Sequence, residues 1–329
     1  MATKPGSEGI VAVVRDDQDH ATVAAIVRER MPELSWNKAR ELVRTGRVQV
    51  DRVGCHDPAQ RVAAGAVVEI RPTAKRRLAP MLEPERLVHV DGELVVVDKP
   101  PGLITVPVDD REGRDSLIER TRLALIEHDR DHGLSSARDR LGIVQRLDKD
   151  TSGLLVFART HRARKLLDSQ FRAHTVERRY VALVHGRAEA AVHDTHLVSD
   201  RGDGLRGSWR GGSPPTAAKR AITKVRIEAR LRGPTGELTL VSCQVETGRQ
   251  HQVRIHLAES GTRLVGEPVY GRGRRDRDQP DPLEALGATR PLLHAASLGF
   301  RHPTHARSLR FESPLAPDFR ALLDRLDAD

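Results

Sequence analysis

Gly142-Ile143-Val144-Gln145-Arg146-Leu147-Asp148-Lys149-Asp150-Thr151-Ser152-Gly153, followed by Leu154-Leu155-Val156-Phe157-Ala158, sets a dense run of charge directly before an apolar strand. Polar groups packed against a strand end cost free energy unless they are paired or used. Asp148 sits between two bases, Arg146 and Lys149, which attract a carboxylate if the three are close in space. Thr151-Ser152-Gly153 supplies small side chains and a permissive backbone, leaving room for another molecule to approach closely. Two readings of this window are open. One is an activated carboxylate at a turn; the other is a solvated loop with a chance charge cluster.

Downstream of the strand, Ala163, Leu166, Leu167 and Phe171 share a helical face. Strands follow at Tyr180 to Val184, Ala221 to Ile227 and Leu238 to Val245, with Arg201 to Thr216, which carries Trp209, as a long loop. Val253 to Glu259 reads as a short helix and Gly271 to Arg290 as a charged insertion. Upstream, Leu87-Val88-His89-Val90 and Leu94 to Asp98 flank Asp91-Gly92 as a hairpin. Lys99-Pro100-Pro101-Gly102 then turns the chain, and Ser116 to Glu127 is helical. Strands that are mostly antiparallel with a few intervening helices make the class α+β, a mixed sheet flanked by helices and loops.

The N-terminal part differs. Val23, Ile26 and Val27 lie on one helical face, and Ser35 caps a second helix with Trp36, Ala39, Leu42 and Val43 on one stripe. Gly46 closes that helix. Short strands follow at Val48 to Val50 and Ala66 to Ile70, around a turn at Asp57-Pro58. The expected division is a flexible tail over 1–14, a small α/β module over 15–75, a linker over 76–85 and a large domain over 86–329.

At 329 residues with 38% hydrophobic and 31% charged side chains, the chain has a core to bury. Its net charge of +9 points to a polyanionic partner, nucleic acid ahead of a membrane surface. Cys55 and Cys243 match no zinc spacing and argue for a reducing compartment. No N-terminal signal pattern and no run of ~18–20 apolar residues is present. The expected location is cytoplasmic, and the expected state monomeric.

Five segments, in order, resemble one family, the ribosomal-large-subunit type of RNA pseudouridine synthase. Residues 142–158 look like its signature, His-Arg-Leu-Asp with Thr-Ser-Gly after two variable residues. Val97 to Leu103 resembles its lysine-proline-glycine turn, and Glu177 to Gly186 its tyrosine strand. Glu246-Thr247-Gly248-Arg249-Gln250-His251-Gln252-Val253-Arg254-Ile255-His256, with Gly261 to Tyr270 after it, is similar to its arginine motif, and Leu292-Leu293-His294-Ala295 matches as well. Gln145 stands where the family usually has His, and Arg178 where it usually has Lys.

The resemblance implies an isomerisation. The bond from ribose to N1 of uracil breaks, the base rotates, and ribose is rejoined at C5, with neither a nucleotide cofactor nor a metal. Asp148 matches the essential aspartate, attacking at the ring or at the sugar. Tyr180 matches the tyrosine set against the flipped base, although a strand aromatic by itself reads as core packing. Arg254 matches the aspartate's ionic partner. Arg146 matches a side chain inserted where the extruded base had stacked. Leu293 covers the pocket, and Arg249 contacts phosphate or lies on the surface. His251 and His256 have no third ligand at metal spacing.

Residues 15–75 resemble the S4 RNA-binding module, which implies that Lys38, Arg40, Arg44 and Arg47 face RNA phosphates. Asp51 replaces that module's usual Asn. The RNA expected is ribosomal, with transfer RNA as an alternative. Two other readings are a non-catalytic RNA-binding or ribosome-assembly factor on the same scaffold, and a metal-dependent nuclease. No carboxylate cluster supports the nuclease.

Overall fold

The computed structural model describes residues 9–56, 58–74, 81–107, 115–133, 141–234, 236–271, 273, 281–305 and 307–327. The chain divides into two compact units, 1–83 with 106–135 and 84–105 with 136–329. Residues 106–135, expected in the large domain, are therefore grouped with the N-terminal unit.

That unit holds β1 (Ile10–Val13), α1 (Val23–Arg30), α2 (Trp36–Arg44), β2 (Val48–Val50), β3 (Val53–Cys55), β4 (Val67–Ile70) and α3 (Leu117–Asp131). The strands form an antiparallel sheet in the order β1-β4-β2-β3. Thr22 and Ser35 cap α1 and α2, their hydroxyls accepting from Ala25 N–H (3.2 Å) and Lys38 N–H (3.3 Å). The tail expected over 1–14 is corrected at Ile10–Val13, which pairs residue by residue with β4 and buries Ala12. Residues 1–8, Asp57 of the expected turn, and 76–80 of the expected linker lie outside the described residues. Trp36, placed on the apolar stripe of α2, is instead 49% exposed. Ala39, Leu42 and Val43 of that stripe are buried with Ile26 and Val27 of α1.

The second unit is built on β5 (Leu87–Val90), β6 (Leu94–Lys99), β7 (Gly142–Ile143), β8 (Ser152–Ala158), α4 (His161–Arg172), β9 (Glu177–His185), β10 (Ala191–Val198), β11 (Gly207–Ser208), β12 (Lys219–Gly233), β13 (Gly236–Val245), α5 (Gln252–Glu259), β14 (Leu293–Arg301), β15 (Ser308–Glu312) and α6 (Pro317–Asp327). Among the described residues the strands form one sheet in the order β11-β10-β12-β13-β9-β14-β8-β6-β5, with β15 on β14 and β7 on β8. Among the described pairings, β14 with β8 alone is parallel. The loop expected over 201–216 contains β11, which pairs with β10.

Alternation along β9 decides what each sheet face carries. Val181 and Leu183 pack with Phe319 and Leu322 of α6. Ala182 and Val184 pack on the other face with Val253 and Leu257 of α5. At the far end of the sheet, Leu154 and Val156 of β8 pack with Ala163 and Leu167 of α4. Both cysteines are buried and neither is in a disulfide. Among the described residues, no helix is long and apolar enough to cross a membrane.

Candidate active site

Asp148 lies in the turn that feeds β8, and the turn is held from several sides. Thr105 Oγ1 donates to the Leu147 carbonyl (2.8 Å) and accepts from Leu147 N–H (3.1 Å). Thr151 N–H donates to the Asp148 carbonyl (3.1 Å). Lys99 is fully buried, and its Nζ donates to the carbonyls of Lys149 (2.6 Å), Leu103 (2.6 Å) and Pro100 (2.8 Å). Burial pushes this ammonium down to about 7 against the pull of Asp150. Arg290 Nη1 donates to the Asp150 carbonyl (2.8 Å) while Nε and Nη2 fork onto Asp318 of α6 (2.7 and 2.9 Å).

Gly153 corrects the reading of the small residues. Its φ is +106°, and a Cβ there would sit 2.3 Å from the Ala295 carbonyl oxygen of β14. The room it leaves is filled by the neighbouring strand, not by an incoming molecule. Ser152 is committed as well, its Oγ lying 2.9 Å from His294 Nδ1.

The charges around Asp148 also differ from the linear sequence. Arg146 and Lys149 are exposed, and among the described residues its ion-pair partners are Arg254 and His251. Arg254 Nη1 lies 3.6 Å from Asp148 Oδ2, and His251 Nε2 lies 3.9 Å from Oδ1. The remaining guanidinium edge of Arg254 is forked on Glu267, with Nε to Oε2 and Nη2 to Oε1 both 2.8 Å. Glu267 is fully buried, and its Oε1 accepts further from Val269 N–H (2.9 Å) and Tyr270 N–H (3.2 Å). Burial alone would lower the Arg254 guanidinium, but Glu267 outweighs it and holds it above its ordinary range. His251 starts α5 with φ 58°, and its Nδ1 lies 2.7 Å from the Tyr270 hydroxyl. Burial lowers its imidazole and Asp148 opposes that shift.

Tyr180 of β9 packs against the cluster that contains buried Leu293 and Val253 of α5. Burial raises its phenol, Arg178 pulls it down and Asp148 pushes it up. Arg178 stacks on Phe171 with its guanidinium carbon 5.5 Å from the ring, and Nη2 donates to the Glu246 carbonyl (2.7 Å). Gln145 has a buried Nε2 with no partner among the described residues.

The expected site residues thus fall into groups. Asp148 and Arg254 are paired, Asp148 acts electrostatically on the Tyr180 phenol, and Tyr180 and Leu293 share one apolar cluster. Arg249 is exposed beside them, its Nε donating to the Arg220 carbonyl (3.0 Å). Lys38, Arg40, Arg44 and Arg47 lie in the N-terminal unit. There Arg40 sits over the Trp36 ring at 5.8 Å, Lys38 pairs with Glu41 (3.5 Å), and Arg44 is exposed. Arg47 is half-buried with its Nε committed to the Ala74 carbonyl (3.0 Å), because it ties β2 to the chain beyond β4. Glu267 and the Lys99 carbonyl cage were not singled out from the sequence, although both lie inside the quoted motifs. Among the described residues, no three His, Cys, Asp or Glu side chains are grouped to hold a metal ion.

Residues 93–259 match the family model described as RNA pseudouridylate synthase. The ribosomal large subunit pseudouridine synthase D of Xanthomonas campestris pv. campestris is 31% identical over 324 residues, covering 97% of this chain and 92% of that protein. The protein of the same name from Pseudomonas aeruginosa is 34% identical over 313 residues, covering 92% and 91%. The solved structure of human RNA pseudouridylate synthase domain containing 4 is 25% identical, covers 74% of this chain and 93% of that one, and superposes with a TM-score of 0.57. A charged turn feeding a buried strand, an aspartate facing a clamped arginine, and a match over half the chain agree: this chain belongs to the RNA pseudouridylate synthase family.

Proposed function

We propose that this enzyme converts uridine to pseudouridine in large-subunit ribosomal RNA, with Asp148 as the attacking carboxylate. The observation that carries the assignment is the Asp148–Arg254 pair. Glu267 takes two of the guanidinium's strong hydrogen bonds, so Nη1 faces Asp148 across 3.6 Å. The carboxylate is oriented by charge and keeps lone pairs for an incoming electrophile. Attack at the ribose or at the uracil ring frees the base from its N1 linkage, the base turns, and C5 joins the ribose. The bond to Asp148 breaks, the C5 proton leaves and N1 takes up a proton, so that product and substrate are isomers.

Tyr180 fits the face of the flipped base and the site of that proton transfer. A phenol raised by burial stays protonated at neutral pH, and Arg178 lowers the cost of a transient phenolate. Exposed Arg146 fits the space left in the RNA stack. Lys38, Arg40 and Arg44, with Arg249 beside the pocket, suit phosphate contacts, and residues 15–75 are read as an S4-like module that positions without reading bases. A monomer working in the cytoplasm fits these parts. The names of the bacterial relatives favour ribosomal over transfer RNA.

The test is pseudouridine mapping on transcribed large-subunit ribosomal RNA and on a transfer RNA fraction treated with purified protein. Wild type forms pseudouridine in the ribosomal transcript and Asp148→Ala forms none. Full activity of Asp148→Ala would overturn the assignment. Modification confined to transfer RNA would overturn the substrate.

A further inference from the structure

Trp36 and Trp209 are the only exposed phenyl, phenol or indole rings among the described residues, while all five Phe and both Tyr are buried or half-buried. Leaving an indole in water forgoes a large burial gain, so its orientation is informative. Trp209 is 41% exposed and nevertheless held. Its Nε1 donates to the Gly212 carbonyl (3.0 Å), and its backbone N–H extends the β10 ladder to the His196 carbonyl (2.8 Å). A Cβ on Gly211 would lie 2.5 Å from Trp209 Cζ2, so the ring rests directly on a glycine backbone. The ring is thus held on one side, and the indole's single polar group is already satisfied.

The segment is joined to the helix that carries Arg254. Ser208 N–H donates to Glu259 of α5 (2.9 Å), and Arg201 pairs with the same carboxylate (3.5 Å). Gly207 permits this approach, since a Cβ there would sit 2.9 Å from Glu259 Oε1. Arg206, three residues before the ring, acts electrostatically on His251 and Tyr270 beside Asp148. Arg210, next after the ring, is exposed. A fixed aromatic plate flanked in sequence by Arg206 and Arg210 suits a base stacked on the ring with phosphates drawn to the nearby guanidinia.

We infer that Trp209 is a stacking platform for an unpaired base of the substrate RNA, near the uridine delivered to Asp148. This rests on the proposed RNA-modifying function and adds a residue that selects or holds the substrate. The occupant is a nucleobase and not a protein side chain, because the flanking charge is positive and phosphate accompanies every base.

The full-length protein tests it in a Trp36→Phe, Asp148→Asn background, where Trp209 is the sole tryptophan and no turnover occurs. Titration with transcribed large-subunit ribosomal RNA, with binding scored separately by gel mobility shift, should quench the Trp209 emission. In the otherwise wild-type enzyme, Trp209→Ala should lower kcat/KM by roughly 5- to 150-fold, mainly through KM. Trp209→Phe should recover most of the loss. Bound RNA with unchanged emission, or a Trp209→Ala enzyme with wild-type kcat/KM, would overturn the platform while leaving the activity intact. Quenching by ribosomal proteins but not by RNA would overturn it too. A wild-type enzyme that makes no pseudouridine, with Trp209 still quenched by RNA, would overturn the functional reading and keep the platform. Absence of any RNA binding would overturn both.

Discussion

Glu267 and Arg254 show how one side chain sets the geometry of another. The fork of two 2.8 Å bonds removes the rotational freedom that a lone arginine would keep. Breaking it by Glu267→Ala strips a buried guanidinium of its two short hydrogen bonds and leaves it only Asp148 at 3.6 Å, at about 3–5 kcal/mol of stability, read as a lower denaturant midpoint. Glu267→Gln keeps the volume and one acceptor, so its effect should fall on rate. We expect kcat to drop about 100-fold with KM nearly unchanged, since misplacement near the reacting atoms costs on that order. Steady-state kinetics on the modified transcript measures the split. A variant that melts lower yet keeps wild-type kcat would assign Glu267 to folding alone. Arg254 was visible from its motif, but Glu267 was not, because the partners lie thirteen positions apart along helix and loop and only the fold brings them together.

At the scale of elements, the junction of β8 and β14 is the most demanding. Among the described residues it is the only parallel pairing in the sheet, with Ser152 and Gly153 opposite His294 and Ala295. Gly153 is the position where a side chain has no space and the backbone is left-handed. Gly153→Ala should therefore destabilise the protein by roughly 2–5 kcal/mol from strain and overpacking together, measured by chemical denaturation. A loss no larger than that of an exposed-loop glycine such as Gly204 would refute this account. The hairpin at Asp91-Gly92, helices α2, α4 and α5, and the buried strand after Ser152 were all legible from local pattern. β1 was not, because four residues carry little periodic signal until β4 supplies hydrogen-bond partners.

For the molecule as a whole, the acid limb of stability should carry the mark of Asp281. Burial would raise its carboxyl, but hydrogen bonds from His185 (2.9 Å), Leu283 N–H (2.9 Å) and Gly266 N–H (2.9 Å) outweigh it and hold it at about 2. Its folded value lies below the unfolded 3.8, so its contribution is complete above that value and disappears as pH falls through about 2. Asp281→Asn should be less stable than wild type at neutral pH by about 2 kcal/mol and lose less stability on acidification, as followed by denaturant midpoints from pH 6 to pH 2. Parallel curves for the two proteins would contradict it. The sequence by itself determined the α+β class, the family, and Asp148, Tyr180 and Arg254 as the group to watch, since motifs and local periodicity are written in consecutive residues. The resemblance matched Arg254 to the aspartate's ionic partner, and the tertiary structure added that Arg254 faces Asp148 across 3.6 Å while the nearby Arg146 and Lys149 are exposed. Tertiary structure alone decided that Gly153 makes room for β14 and that Lys99 braces the turn through three carbonyls. The physical reason is that charge pairing and close packing depend on distance in space. In the opening stretch, the charges nearest to Asp148 along the chain point into solvent, while its partner arrives on a helix more than a hundred residues later.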